Sequence, residues 1–492
     1  MIVGRSSDWF DGLSGATPGK RFHYHRTARD LPCVTAQLRS RLTSLVETPR
    51  LFSMSTRLRV VHNLSAAFLA GEWTLAGLVQ RGGLACGKRE RWIRALARRV
   101  LKEFPDFDVE RSAELARFIN GDKGFLRAWT NNSQRGHVPL RQLFWSNPVM
   151  RRAAGVPASW ELPALTTPGA LAAWLGLDPP HLDWFADCRG REAYARHEPL
   201  RHYTYQWRAK PSGRARLLEK PKQRLRAIQR RILHEILDRV PPHEAVHGYR
   251  RGRSIVTAVA PHSGRRIVLH FDLRDFFPSV RRSRVHALFA ALGYPAPVAR
   301  LLTGLCTNVV PEDIWRVAPE SMRHLLRSPH LPQGVPTSPA LANLCANSLD
   351  RRLAALARAV GANYTRYADD LTFSGDHDLE RSARRFQVQV CILALEEGFE
   401  VQTRKSRFMR QGVRQQVGGI VLNQHPNLAR NEYDRLKAVL FNCIRFGPDS
   451  QNREQHGDFR AHLGGRVAYA AFINPARGQR LRSLFERITW AE

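Results

Sequence analysis

Cysteine is sparse and dispersed in this 492-residue chain: seven residues, at positions 33, 86, 188, 306, 345, 391 and 443, form no Cys-x-x-Cys pair. That spacing argues against zinc and for a reducing compartment. Long apolar runs are also missing. No stretch approaches the ~20 residues of a membrane span, and Met1 to Asp8 lacks a signal-peptide core, so a cytoplasmic protein with no membrane partner is expected. Acidic residues are scarce: 43 Asp and Glu face 77 Lys and Arg, a formal charge of +34 that attracts polyanions such as nucleic acid. Hydrophobic residues make up 43% of the chain, which excludes wholesale disorder, and the length allows two or three domains. His23 and His25 have no acidic or cysteine company and read as surface or core histidines.

Against that scarcity of acids, Tyr367-Ala368-Asp369-Asp370 sets two carboxylates side by side. The flanks, Ala362 to Tyr367 and Leu371 to Ser374, carry the aromatic and β-branched residues of strands, so the pair belongs at a hairpin turn. Arg266 to Phe271 reads as a buried strand ending in a third acid, Asp272. Like charges held together need a cation, and oxygen ligands without neighbouring Cys or His favour Mg²⁺. Three such acids can clamp two ions about 3.5 to 4 Å apart, the arrangement that serves in-line displacement at phosphorus. A solvated Asp-Asp turn and a helix-capping Asp272 are the bland alternatives.

Four stretches occur in the order found in bacterial retron reverse transcriptases. They are Val246 to Arg250 with Gly252 to Ile255, Phe271-Asp272-Leu273 to Phe277-Pro278-Ser279, Leu331-Pro332-Gln333-Gly334 with Pro336 to Pro339, and Tyr367 to Asp370. The chain resembles that family over residues 165 to 492. The resemblance implies an α+β fold: a right-hand polymerase of fingers, palm with an antiparallel sheet, and helical thumb, here preceded by a mostly helical N-terminal domain. It implies that Asp272, Asp369 and Asp370 are catalytic and hold two Mg²⁺, with Mn²⁺ as an alternative. It further implies dNTP substrates, a noncoding RNA as template and primer, a cDNA product, and a defence effector protein as partner in an anti-phage system.

Other positions take roles from the same resemblance. Phe277 matches the bulky aromatic that blocks a ribonucleotide 2′-hydroxyl, although an aromatic there also suits core packing. Gln333 and Gly334 would position dNTP and template. Lys210 and Arg216, on a hairpin with a Pro-Ser-Gly turn, would place cations over the triphosphate, and Lys405 would neutralise phosphate charge; a solvated Lys405 is the plain alternative. Two signatures depart from the family. Ala258-Val259-Ala260-Pro261-His262 keeps only the histidine of Asn-Ala-x-x-His, and Val417-Gly418-Gly419 replaces Val-Thr-Gly. An RNA-binding scaffold that no longer turns over, and a non-retron bacterial reverse transcriptase, stay open as other readings.

The expected organisation is an N-terminal helical extension over 1–164, paired helices and fingers over 165–262, a palm over 263–424 and a thumb over 425–492. Within it, Trp92, Leu96, Val100 and Phe104 mark an amphipathic basic helix. Thr167 with Pro168 predicts a helix start and Gly176 its stop. Leu225 to Leu237 predicts an Arg-bearing helix, and thumb helices are expected over 431–446, 466–472 and 478–488.

Overall fold

The computed structural model describes residues 56–490, apart from 87–90, 106–111, 134–137, 139, 145–147, 154 and 210–214. His23, His25 and Lys210 lie outside the described residues. The chain forms two compact units, 1–146 and 147–492. Residues 147–164 therefore go with the second unit, not with the N-terminal extension. Leu162 and Leu165 are buried in its core, and the amides of Arg151 and Ala153 donate to the carbonyls of Gly293 and Ala291.

The first unit is helical: α1 (Thr56–Leu69), α2 (Leu75–Cys86), α3 (Arg91–Glu103), α4 (Ser112–Gly121) and α5 (Lys123–Ser133). Helix α3 is the amphipathic basic helix expected. Its buried face is Ile93, Leu96, Ala97 and Val100, with Trp92 only partly covered. Arg99, one of its arginines, is not simply solvated: its guanidinium bridges both carboxylate oxygens of Asp122 at 2.6 and 2.8 Å.

The second unit is α+β. Helices α6 (Pro168–Leu175) and α7 (Pro179–Ala186) open it, and the capping residues explain both ends of α6. Thr167 Oγ1 accepts from the Ala170 amide, Pro168 sits at the first position, and Gly176 closes it with φ +67°. Strands β1 (Tyr203–Ala209) and β2 (Ala215–Pro221) pair as the expected hairpin, followed by α8 (Gln223–Glu235). A four-stranded antiparallel sheet follows, in the order β4-β5-β3-β6: β3 is Ile267–Asp272, β4 Asn363–Tyr367, β5 Asp370–Gly375 and β6 Arg407–Arg410. Helices α9 (Ser338–Cys345), α10 (Asn347–Ala359) and α11 (His377–Glu396) pack with it around Leu269, Phe271, Phe373, Leu353 and Phe386. The C-terminal bundle is α12 (Arg430–Phe446), α13 (Phe459–Ile473) and α14 (Pro475–Phe485), closed over Leu436, Leu440, Leu463, Val467 and Leu481.

Each of the two altered signatures carries a residue with a local structural task. His262 is fully buried; its ring nitrogens meet Ser374 Oγ at 2.7 Å and Thr365 Oγ1 at 2.8 Å, tying both strands of the β4-β5 hairpin. Burial pushes its pKa down to about 3, so it works as a neutral ring. Gly418 has φ +55°, a left-handed backbone that a β-branched threonine adopts only under strain, and a Cβ there would also press on the end of the Ile255 side chain.

The same hairpin rests on a buried ion pair. Arg366 and Asp350, both fully buried, meet in a two-pronged contact with Nε–Oδ1 at 2.7 Å and Nη2–Oδ2 at 2.6 Å, and Tyr364 donates to Asp350 at 2.8 Å. Asp350→Ala leaves the guanidinium buried and unpaired, and is expected to cost about 3 to 5 kcal/mol, read as a lowered urea midpoint for the second unit.

Candidate active site

Antiparallel pairing brings the acids together. In the β3-β5 register Asp272 lies directly opposite Asp370, and the β4-β5 register pairs Tyr367 with Asp370, leaving Ala368 and Asp369 as the turn. Ala368 takes φ +58° to close it. Three backbone bonds fix the strand ends: Leu273 N donates to Asp369 O, Gln402 N to Asp272 O, and Arg274 N to Glu400 O, at 2.7 to 2.8 Å. Arg366 adds a bond from Nη1 to Ala368 O at 3.0 Å.

The carboxylates face different neighbours. Lys405 Nζ binds Asp272 through both oxygens, at 3.0 and 2.9 Å. His270 Nε2 lies 3.2 Å from Asp370 Oδ1. The acids thus have a histidine beside them that the expectation of an all-oxygen neighbourhood did not include. Burial, with the charges of Asp370 and Asp272, pushes Asp369 up to about 6.

Beside the acids lies a cavity of about 340 Å³. Asp272 and Asp369 line it with Arg216, Phe277, Gln333 and Lys405, all expected from sequence, and with Tyr249, Glu219 and Arg404, which were not. Asp370 opens instead on an adjoining recess with His270, Arg407 and Gly418. Gly334 sits behind the cavity wall: its φ is +113°, and a Cβ would come within 3.3 Å of Glu219 O, while Glu219 N donates to Gln333 O at 2.8 Å. Glycine lets the loop lie close against β2. Arg216 Nε is buried with no hydrogen-bond partner among the described residues, a donor left over for something in the cavity.

Tyr249 and the Arg366–Asp350 pair escaped sequence reading. The aromatic and β-branched residues of Ala362 to Tyr367 mark a strand without saying that its arginine points inward. The Gly248-Tyr249 step was part of a motif, but its left-handed turn, φ +57° at Tyr249, is a tertiary effect. Such a conformation costs a non-glycine residue about 1 to 3 kcal/mol and concentrates at functional sites.

A four-stranded antiparallel sheet carrying three acids at one end, beside a cavity and followed by a helical bundle, defines a nucleotidyl-transferring polymerase. Residues 208–429 match the family model for reverse transcriptase (RNA-dependent DNA polymerase). The chain is 43% identical to the retron Mx65 reverse transcriptase of Myxococcus xanthus, over 66% of this chain and 72% of the relative. It is 34% identical to the retron Mx162 enzyme of the same organism over 68% and 71%, and 31% identical to the retron Ec86 enzyme of Escherichia coli over 47% and 66%. The chain belongs to the retron reverse transcriptases and is an RNA-directed DNA polymerase.

Reverse transcriptases use divalent metal ions. The donor set fits one: three carboxylates at one strand end, one of them strained toward its protonated form by the others. Among the described residues the side chains as placed do not form a three-ligand cage, and Asp272 is ion-paired with Lys405. No described helix is long and apolar enough to cross a membrane.

The raised Asp369 pKa has a direct consequence for stability. A carboxyl whose folded pKa lies above its unfolded value contributes stability that is present below about 4 and lost as pH rises through about 6. Asp369→Asn in chelator is therefore expected to be more stable than wild type above pH 6 by on the order of 2 kcal/mol, read as a higher melting temperature, with the gap closing toward pH 4. Saturating Mg²⁺ should narrow the gap at pH 8 by stabilising wild type alone; melting curves across pH check both.

Proposed function

We propose that this enzyme copies a structured noncoding RNA into DNA by Mg²⁺-dependent nucleotidyl transfer, as part of an anti-phage defence system with an effector protein. The observation that carries the chemistry is the register placing Asp272 opposite Asp370 with Asp369 in the turn beside a nucleotide-sized cavity. Asp272, Asp369 and Asp370 would hold the two ions; Mn²⁺ is an alternative of the same hard-ligand class. Bound there, the ions supply acidification of the primer hydroxyl and charge neutralisation at the leaving pyrophosphate.

The chain's own residues do the rest. Lys405 leaves Asp272 for the phosphates, and Arg216 turns its spare donor to the triphosphate, with Lys210 as a further cation. Phe277 stands where a 2′-hydroxyl would project and favours dNTPs. Gln333 contacts the nucleotide, and Gly334 lets its loop sit close behind. Support for the RNA template and cDNA product comes from the relatives named above. Priming from a 2′-hydroxyl of the RNA, which leaves the cDNA attached, is part of the same proposal.

Sequencing the nucleic acid that co-purifies with wild type and with Asp369→Ala/Asp370→Ala, with and without RNase and debranching treatment, tests this. A unique short DNA joined to RNA is expected in wild type and absent from the variant. RNA without covalent DNA in both samples would overturn the proposal in favour of an RNA-binding scaffold.

A further inference from the structure

Tyr249 lines the cavity yet remains 56% exposed, so core burial does not account for its left-handed backbone. The backbone before it is pressed against the catalytic hairpin. A Cβ at Gly248 would lie 2.6 Å from the Ala368 amide nitrogen, Gly248 O accepts from Asn343 Nδ2 at 2.9 Å, and His247 N donates to Arg366 O at 2.8 Å. From that clamped position the turn at Tyr249 brings its ring to 6.3 Å from Phe277, centroid to centroid and tilted by 59°. This is the range of favourable aromatic pairs.

Phe277 is supported on another side as well. The buried Phe276 ring is 5.6 Å from it, and Phe276 is itself flanked by Phe399 at 5.5 Å and by the Arg366 guanidinium at 5.6 Å. Phe276 cannot move without disturbing the core. Tyr249 is the second ring paired with Phe277 among the described residues, and it is the exposed one of the two.

We propose that Tyr249 is a specificity-determining residue: its ring braces Phe277, so that discrimination between deoxyribose and ribose is set by the aromatic pair. This rests on the reading of Phe277 as the residue facing the sugar. A phenylalanine free to turn about its two side-chain torsions would make room for a 2′-hydroxyl, whereas a braced one would not. The strained backbone at Tyr249 then has a purpose, since a relaxed residue there would carry the ring elsewhere.

The test is single-nucleotide incorporation on a primed RNA template, comparing kcat/KM for a dNTP and the matching rNTP in wild type, Phe277→Ala, Tyr249→Ala, Tyr249→Gly and Tyr249→Phe. Discrimination is expected to fall about tenfold or more in Phe277→Ala and Tyr249→Ala and to return in Tyr249→Phe, which keeps the ring. Tyr249→Gly relieves the positive φ, so it reports the loss of the ring in a chain whose folding is not penalised there, and it should match Tyr249→Ala. If Phe277→Ala leaves discrimination unchanged, the sugar-facing reading of Phe277 fails and the bracing falls with it. If Phe277→Ala loses discrimination while Tyr249→Ala and Tyr249→Gly keep it, only the bracing is overturned.

Discussion

One guanidinium organises the catalytic end of this molecule. Arg366 is wholly buried, and every contact it makes reaches a different part of the site. It meets Asp350 on α10, Asn343 on α9 and the carbonyl of Ala368 in the acidic turn, and its charge faces the Phe276 ring beneath Phe277. Asn343 in turn holds Gly248, which presses on the hairpin tip. Arginine suits this task because its planar fork donates in several fixed directions at once, which a lysine cannot do. A buried charge of this kind contributes little net stability compared with an apolar core. Here it ties the hairpin to two helices, with every guanidinium nitrogen hydrogen-bonded.

The chain is short of acids overall, and it gathers three of them where repulsion is greatest. Asp369 shows the cost, with a pKa pushed up to about 6 by burial and by its two acidic neighbours. Lys405 is ion-paired with Asp272, and His270 Nε2 lies 3.2 Å from Asp370 Oδ1. On the proposed function, cation binding would relieve repulsion already present in the fold, with Lys405 as a counter-charge that can be exchanged. Stability is given up locally for a function that needs concentrated negative charge.

Much of this was legible in the amino-acid order, for reasons specific to each element. The β3 strand and the hairpin were marked by apolar and β-branched runs ending in acids, and α6 by Thr167, Pro168 and Gly176. The third thumb helix was expected at 478 but begins at Pro475, where Asn474 accepts from the Arg477 amide; the Asn-Pro cap was there to be read. Likewise α13 starts at Phe459 behind the Asp458 cap, earlier than the expected 466, because Gly464 and Gly465 obscure its periodicity. Gln333 and Phe277 were placed by motif, whereas Arg366, Asp350 and His270 were invisible. Nothing local distinguishes an inward-facing strand arginine from a solvated one, and its partner lies sixteen residues away on a helix. The start of the second unit at 147 was missed because its first contacts, Arg151 to Gly293 and Ala153 to Ala291, are long-range backbone bonds without a compositional mark.

On the proposed function the three acids at the hairpin form a cation-dependent centre for RNA-templated DNA synthesis. Primer extension by the purified chain on a defined RNA template, titrated with Mg²⁺ in parallel with Asp272→Asn, tests it most directly. Wild type is expected to give a dNTP-dependent product that rises with Mg²⁺ and disappears in chelator, with none from Asp272→Asn at any concentration. Extension that persists in chelator, or in Asp272→Asn, would contradict it.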